Sequence, residues 1–305
     1  MLRLEDLGAK PGEDCAPAFR KAFSLQPKGG TIVCGPGEFY VDCPIEPPSN
    51  TVIAGAGGEA TIFNGRGVAD NIFVLTAKYR IQLRDIYVTQ ARSNGVAAFR
   101  HRAPEYPQHI NSPHHSIARV ISRFNGAAGF FISDGYAIHF EQSFAGDNAS
   151  SGFHMPGFHT SLKFELCGAS NNNDGFYFEN AVYCSFDTCH TDDNRLYGYN
   201  VRNAQAIGFR SCGGERNKLG MFLFQSNPLH GNRQLTGIKV QECFGIENGG
   251  PSSFIEAHAV DGFSADITVQ DCVDDSSPSG CSIYTNAAAV TIRRTGGKFA
   301  GTIPS

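Results

Sequence analysis

NGAAGFFISDGYAIHFEQSFAGD (125–147), NASSGFHMPGFHTSLKFELCGAS (148–170), NNNDGFYFENAVYCSFDTCHTDD (171–193) and NRLYGYNVRNAQAIGFRSCGGER (194–216) are four successive segments of 23 residues. Asn opens each of them, at Asn125, Asn148, Asn171 and Asn194, and Asn217 opens the next. Gly129, Gly152, Gly175, Gly198 and Gly220 follow in step. After each glycine comes an alternating apolar pair, from Phe130/Ile132 to Met221/Leu223. A third column reads Phe140/Ser143, Phe164/Cys167, Phe186/Cys189 and Phe209/Cys212. A fixed period of this size is the mark of a solenoid, with each repeat one coil stacked on the next.

Within a repeat the apolar spacing is two, broken by Gly, Asn or Asp, then two again, which predicts short strands joined by turns. The leucine consensus of leucine-rich repeats is absent, as are hexapeptide repeats. The expected fold is all-β: a single-stranded parallel β-helix with about 23 residues per coil, coils about 4.8 Å apart. The Asn column has a structural role in such a coil, since a stacked amide can bond the next turn and Asn tolerates the left-handed conformation.

Working outward, residues 13–25 read as a short helix whose apolar face (Ala18, Phe19, Ala22, Phe23) covers the open first coil. The expected organisation is an N-terminal segment with this capping helix (1–28), a β-helix (29–295) and a tail (296–305). Three breaks in the strand period, near 100–116, 226–237 and 256–266, read as loops leaving one corner of the coil and walling a trough. The first carries four histidines and three prolines without metal-ligand spacing, so no metal site is expected. No cofactor is expected either.

The segment Leu7-Gly-Ala-Lys-Pro-Gly-Glu-Asp14, the helix, Gly29-Gly-Thr-Ile, Pro36-Gly-Glu-Phe-Tyr and the Gly-rich turn after Pro47 resemble the N-terminal signature of the pectate-lyase-like superfamily. That group includes pectin-degrading enzymes and phage tailspike depolymerases. The resemblance covers about residues 5–65. It implies a right-handed β-helix and a polysaccharide or oligosaccharide substrate, without fixing a reaction. Tailspikes resembling this chain are trimers, so a homotrimer is expected.

A formal charge of −4 argues against nucleic-acid binding through phosphates. No apolar run approaches a membrane span, and the first residues carry no signal-peptide core. Of ten cysteines, Cys167, Cys189, Cys212, Cys243 and Cys272 continue one small, inward column, which reads as reduced core thiols. These features point to a phage virion (tail), or export without a signal peptide, after assembly in the cytoplasm.

If Phe140, Phe164, Phe186 and Phe209 point inward, Glu141, Glu165, Asp187 and Arg210 point outward. Carboxylates on successive coils lie about 5 Å apart, and about 10 Å two coils apart, straddling the separations of retaining and inverting glycoside hydrolysis. The alternative is a solvated face stitched by Lys163 and Arg210. At the corner lie His159, Glu179, Tyr183 and Arg202, beside outward His154 and Tyr177. Glu179 and Arg202 share a repeat position and read as an inter-coil ion pair, or as the base and cation of a lyase. Asp147, Asp192, Glu215, Glu247 and Asp275 read as turn chemistry. The expected catalytic set is Glu141, Glu165, Asp187, Glu179 and Arg202. His154, His159, Lys163, Tyr177, Tyr183 and Arg210 would bind substrate. The alternatives are a non-catalytic glycan-binding or structural fibre domain and an intracellular isomerase or epimerase.

Overall fold

Alternating apolar residues broken by single left-handed turn residues give this chain short strands that, among the described residues, pair in parallel. A computed structural model describes residues 1–99, 112–226, 235–249, 254–259, 265–275, 282–285 and 290–296. The strands fall into two compact units, Met1–His154 and Met155–Ser305. In each unit a strand pairs with the equivalent strand of the next coil, so the fold is a parallel β-helix. In the first unit Phe130 is opposite Phe153 and Ser116 opposite His139. In the second, Phe176 is opposite Tyr199, and Ser185 opposite Gly208. The loops expected near 100–116 and 226–237 lie largely outside the described residues, as does most of the tail; of the loop expected at 256–266 only 260–264 lies outside them, and 256–258 and 265–266 are strand instead. Leu235–Gln241, Ile255–His258 and Ala265–Gln270 are strands that border or enter them.

The core is built from aromatic stacks running from coil to coil. Phe164, Phe186 and Phe209 stack at 4.8 and 4.7 Å, and Phe176, Tyr199 and Phe222 at 5.2 and 4.9 Å. Each such pair adds about 0.5–1.5 kcal/mol beyond area burial. Cys167, Cys189, Cys212, Cys243 and Cys272 are buried and unpaired beside these rings. In the first unit the helix Ala16–Leu25 lays Phe19 against Phe63 and Phe73, at 5.8 and 6.3 Å.

Corners are made by single non-glycine residues at positive φ, among them Leu166, Thr188, Ser211, Glu242 and Asp271 just before the cysteines. A second set, Asn171, Asp193, Arg216 and Glu247, precedes the amide ladder of the second unit. That ladder is Asn172, Asn194, Asn217 and Asn248. Asn194 Oδ1 accepts from the backbone N–H of Asn172 at 3.0 Å, and Asn217 Oδ1 from Asn194 N–H at 3.3 Å and Nδ2 at 2.8 Å. Asn217 repeats the arrangement with Asn248. In the first unit, Asn125 and Asn148 are joined the same way, 23 residues apart. The sequence column therefore needs one correction: the ladder residue is Asn172, and Asn171 occupies the left-handed corner. Lys163 pairs with Ser185, so this coil is one residue shorter than the 23-residue period and the buried amide falls one place later.

The ladder makes a direct prediction. Asn194→Ala removes an acceptor for a buried N–H together with its own amide donors, and is expected to cost about 2–3 kcal/mol. Asn171→Ala loses only a left-handed preference, about 1 kcal/mol. Equal losses in urea unfolding of the two variants would refute the ladder's role.

Candidate functional site

On the outer face of the second unit, strands Phe176–Val182, Tyr197–Gln205, Gly220–Gln225, Ile255–His258 and Ile283–Thr285 lie side by side. Because Phe176, Phe178, Tyr199 and Val201 point inward, the residues between them point out. Register lines up Tyr177, Asn200, Leu223, Glu256 and Tyr284 in one outward column, and Glu179, Arg202, Gln225 and His258 in the next. These two columns gather carboxylates, a guanidinium, an imidazole and phenols on a single face.

The contacts within this face are specific. Tyr177 Oη donates to Glu179 Oε1 at 2.6 Å, and Gly157 N–H donates to Glu179 Oε2 at 3.3 Å. Burial, together with Glu179, pushes the Tyr177 phenol well above its ordinary range. The Arg202 guanidinium lies over the Tyr177 ring, 5.1 Å from its centroid. It makes no ion pair or hydrogen bond among the described residues, and its Nε is buried without a partner. The inter-coil ion pair expected of Glu179 and Arg202 is thus not formed, although the two are register partners.

Tyr197 joins two carboxyl groups. Its backbone N–H donates to Asp174 Oδ1 at 3.2 Å, and its hydroxyl donates to Glu256 Oε2 at 2.7 Å. The coil between carries Gly220 at the Tyr197 register position, which leaves the path to Glu256 free of a side chain. Burial and the bond to Glu256 raise the Tyr197 phenol strongly. The other oxygen of Glu256 meets His258 Nε2. Asp174 is buried and also accepts from Asn200 Nδ2 at 3.3 Å. Burial pushes its carboxyl up to about 6, against the opposing pull of the Tyr197 and Asn200 hydrogen bonds and the Arg202 charge.

The remaining residues singled out in the sequence fall elsewhere. Glu165, Asp187 and Arg210 do share an outward column, on strands across the corner at Tyr183. Lys163 Nζ donates to Glu165 Oε2 at 2.6 Å, Thr188 Oγ1 to Asp187 Oδ1 at 3.2 Å, and Arg210 lies 3.9 Å from Glu242. Tyr183 is exposed at that corner in the left-handed region. Glu141 belongs to the first unit, opposite Ala118. His159 is fully buried, with Nε2 3.1 Å from the Pro156 carbonyl oxygen, because it shares register with inward Ala181. In the first unit His154 stacks on Phe131, which in turn packs on Phe99, both at 5.4 Å. Asp174, Tyr197, Glu256 and His258 were not singled out in the sequence. The alternation of Glu256-Ala-His258 was the one available signal, and it lies in a stretch that reads as loop.

Neither a family profile nor a curated protein matches the chain. Solved structures do. Pectate lyase Pel9A matches with a TM-score of 0.61 at 14% identity, over 95% of this chain and 80% of its own. The gp42 tailspike of Acinetobacter phage vb_AbaP_AS12 matches with a TM-score of 0.59 at 12% identity, over 95% and 57%. The chain has the fold of pectate lyases and phage tailspikes. The ORF18 protein of Geobacillus virus E2 matches with a TM-score of 0.61 at 13% identity, over 96% of this chain. The chain spans 59% of the length of that viral protein. Within this parallel β-helix fold, Glu179, Arg202, Glu256 and His258 sit on an outward sheet face, supported by inward aromatic stacks. No described helix is long and apolar enough to cross a membrane.

Proposed function

We propose that the protein is a polysaccharide-degrading enzyme of pectate-lyase-like or tailspike type, acting in a groove on the outward face of its second unit and carried on a phage tail. The observation that carries this reading is Arg202, whose guanidinium has no ionic partner among the described residues on a face lined by Glu179 and Glu256. A planar guanidinium held on an aromatic ring is pre-organised to take an external oxyanion in bidentate fashion. A lyase needs such a cation to neutralise a sugar carboxylate while a base removes the neighbouring proton. Hydrolysis would instead use two carboxyl groups flanking the scissile bond. A panel of acidic and neutral polysaccharides tests the reading, with ultraviolet absorbance reporting unsaturated ends and a reducing-sugar assay reporting total cleavage. Cleavage without unsaturation would assign a hydrolase instead.

A second reading, a non-catalytic glycan-binding fibre, is favoured by the Phe99–Phe131–His154 stack of the first unit, which offers aromatic surface without clustered acids. Retention on a glycan column with no cleavage in either assay would select it.

A further inference from the structure

Glu256 and His258 lie two residues apart on one strand, on the same outward face. The pair has a third member, Tyr197, from two coils earlier. A carboxylate only accepts hydrogen bonds, so the His258 nitrogen that meets Glu256 Oε1, Nε2, carries the ring proton. In the neutral ring this leaves the lone pair on Nδ1. Nδ1 makes no hydrogen bond among the described residues, and the His258 side chain is 22% exposed. The Tyr197 hydroxyl on Oε2 fixes the plane of the same carboxylate. The Tyr284 ring packs 6.0 Å from the imidazole and limits its rotation. This is the arrangement of a base oriented by a carboxylate that is itself oriented by a third group.

We propose that His258 is the general base of the glycan site, presenting Nδ1 to the groove, with Glu256 and Tyr197 as its positioning residues. This rests on the glycan reading above. Register sets His258 two coils from Arg202, with Gln225 between them. Two coil spacings come to about 10 Å, enough for a sugar ring to bridge the two side chains. In the step itself a C–H or O–H bond of the sugar breaks and its proton passes to Nδ1. The electron pair stays on the sugar carbon or oxygen, and the new imidazolium keeps Glu256 as counter-ion.

Two measurements test the assignment, and only one depends on turnover. Long-range proton–nitrogen spectra of protein labelled at its histidines report the ring tautomer, with the His258 signals identified by their loss in His258→Gln. Wild-type His258 is expected as the Nε2–H form. Glu256→Gln, whose amide can donate to Nε2, is expected to bring in the Nδ1–H form. A wild-type ring protonated at Nδ1 overturns the proposal whatever the substrate. In the activity arm, His258→Gln is expected to lower kcat at least a hundredfold. Tyr197→Phe is expected to lower it about tenfold with KM within twofold, because the ring stays and only the hydroxyl is lost. A fully active His258→Gln also overturns the proposal. An Nε2–H ring in a wild type that degrades no glycan overturns the glycan reading and the base assignment with it, while the orienting contacts stand.

Discussion

Arg202→Gln is expected to lower glycan turnover by about a hundredfold or more and to shift unfolding by no more than about 1 kcal/mol. The two effects separate because the side chain contributes little to folding. Its guanidinium makes no ion pair or hydrogen bond among the described residues, and its one described partner is the Tyr177 ring. A contact of that kind is worth about 0.5–1 kcal/mol at a partly exposed site. In the proposed reaction catalysis depends on it far more, since a cation that neutralises charge developing beside it acts most strongly in the transition state. Arg202→Lys keeps the charge but loses the planar fork, and an intermediate rate is expected. The double variant Glu165→Gln/Asp187→Asn serves as the control for the neighbouring face, where Lys163 and Thr188 already hold the two acids. Its activity is expected to stay within twofold of wild type. Loss of activity there, with Arg202→Gln silent, would move the site across the corner.

Asp174→Asn is expected to stabilise the protein at pH 7.5 and to leave it unchanged at pH 4. Burial raises the folded carboxyl to about 6, whereas an unfolded Asp ionises near about 3.9. Between those values the folded state binds more protons than the unfolded state, so stability falls as pH rises from about 4 to about 6, then levels off. The stabilisation from the protonated acid is complete below the unfolded value and gone above the folded one. The difference between the folded and unfolded values corresponds to about 3 kcal/mol at most. The amide does not titrate, still accepts from Tyr197 N–H, can donate to Asn200 Oδ1, which is buried without a partner, once that amide turns over, and so escapes that loss. Urea unfolding of both proteins from pH 4 to pH 8 measures the difference directly. A gap that does not change with pH would mean that the carboxyl is not perturbed by burial. If the stabilised variant also turns over glycan more slowly, the buried acid is kept for the site at the expense of the fold.

Much of this protein was written in its sequence, for a local reason. A coil repeats the same short strands and corners, so Phe164, Phe186 and Phe209 announce a stack by spacing alone, and the cysteines announce the inward column beside it. The helix over the first coil was equally legible, because an apolar face at helical spacing needs no distant partner to be recognised. The amide ladder was legible except at one rung. A coil shortened by one residue puts Asn172, rather than Asn171, in the core, and only the pairing of Lys163 with Ser185 reveals it.

The outward face is different, because no repeat selects it. Outward residues are free to vary, and their chemistry comes from what three or four coils bring together. Tyr177, Glu179 and Arg202 were found from alternation, but their pairing was misjudged: shared register does not decide which donor a carboxylate takes. Tyr197 and Glu256 are 59 residues apart and meet across a coil that carries glycine, Gly220, at the Tyr197 register position. His159 has the spacing of an exposed residue and is buried, since its strand is too short for alternation to fix its direction. Sequence alone determined a stack of parallel coils with an aromatic, thiol-lined core, because burial repeats with the period. Which polar groups touch across coils, and so where chemistry can occur, was decided by tertiary structure, because side-chain reach depends on the residues that are small in between.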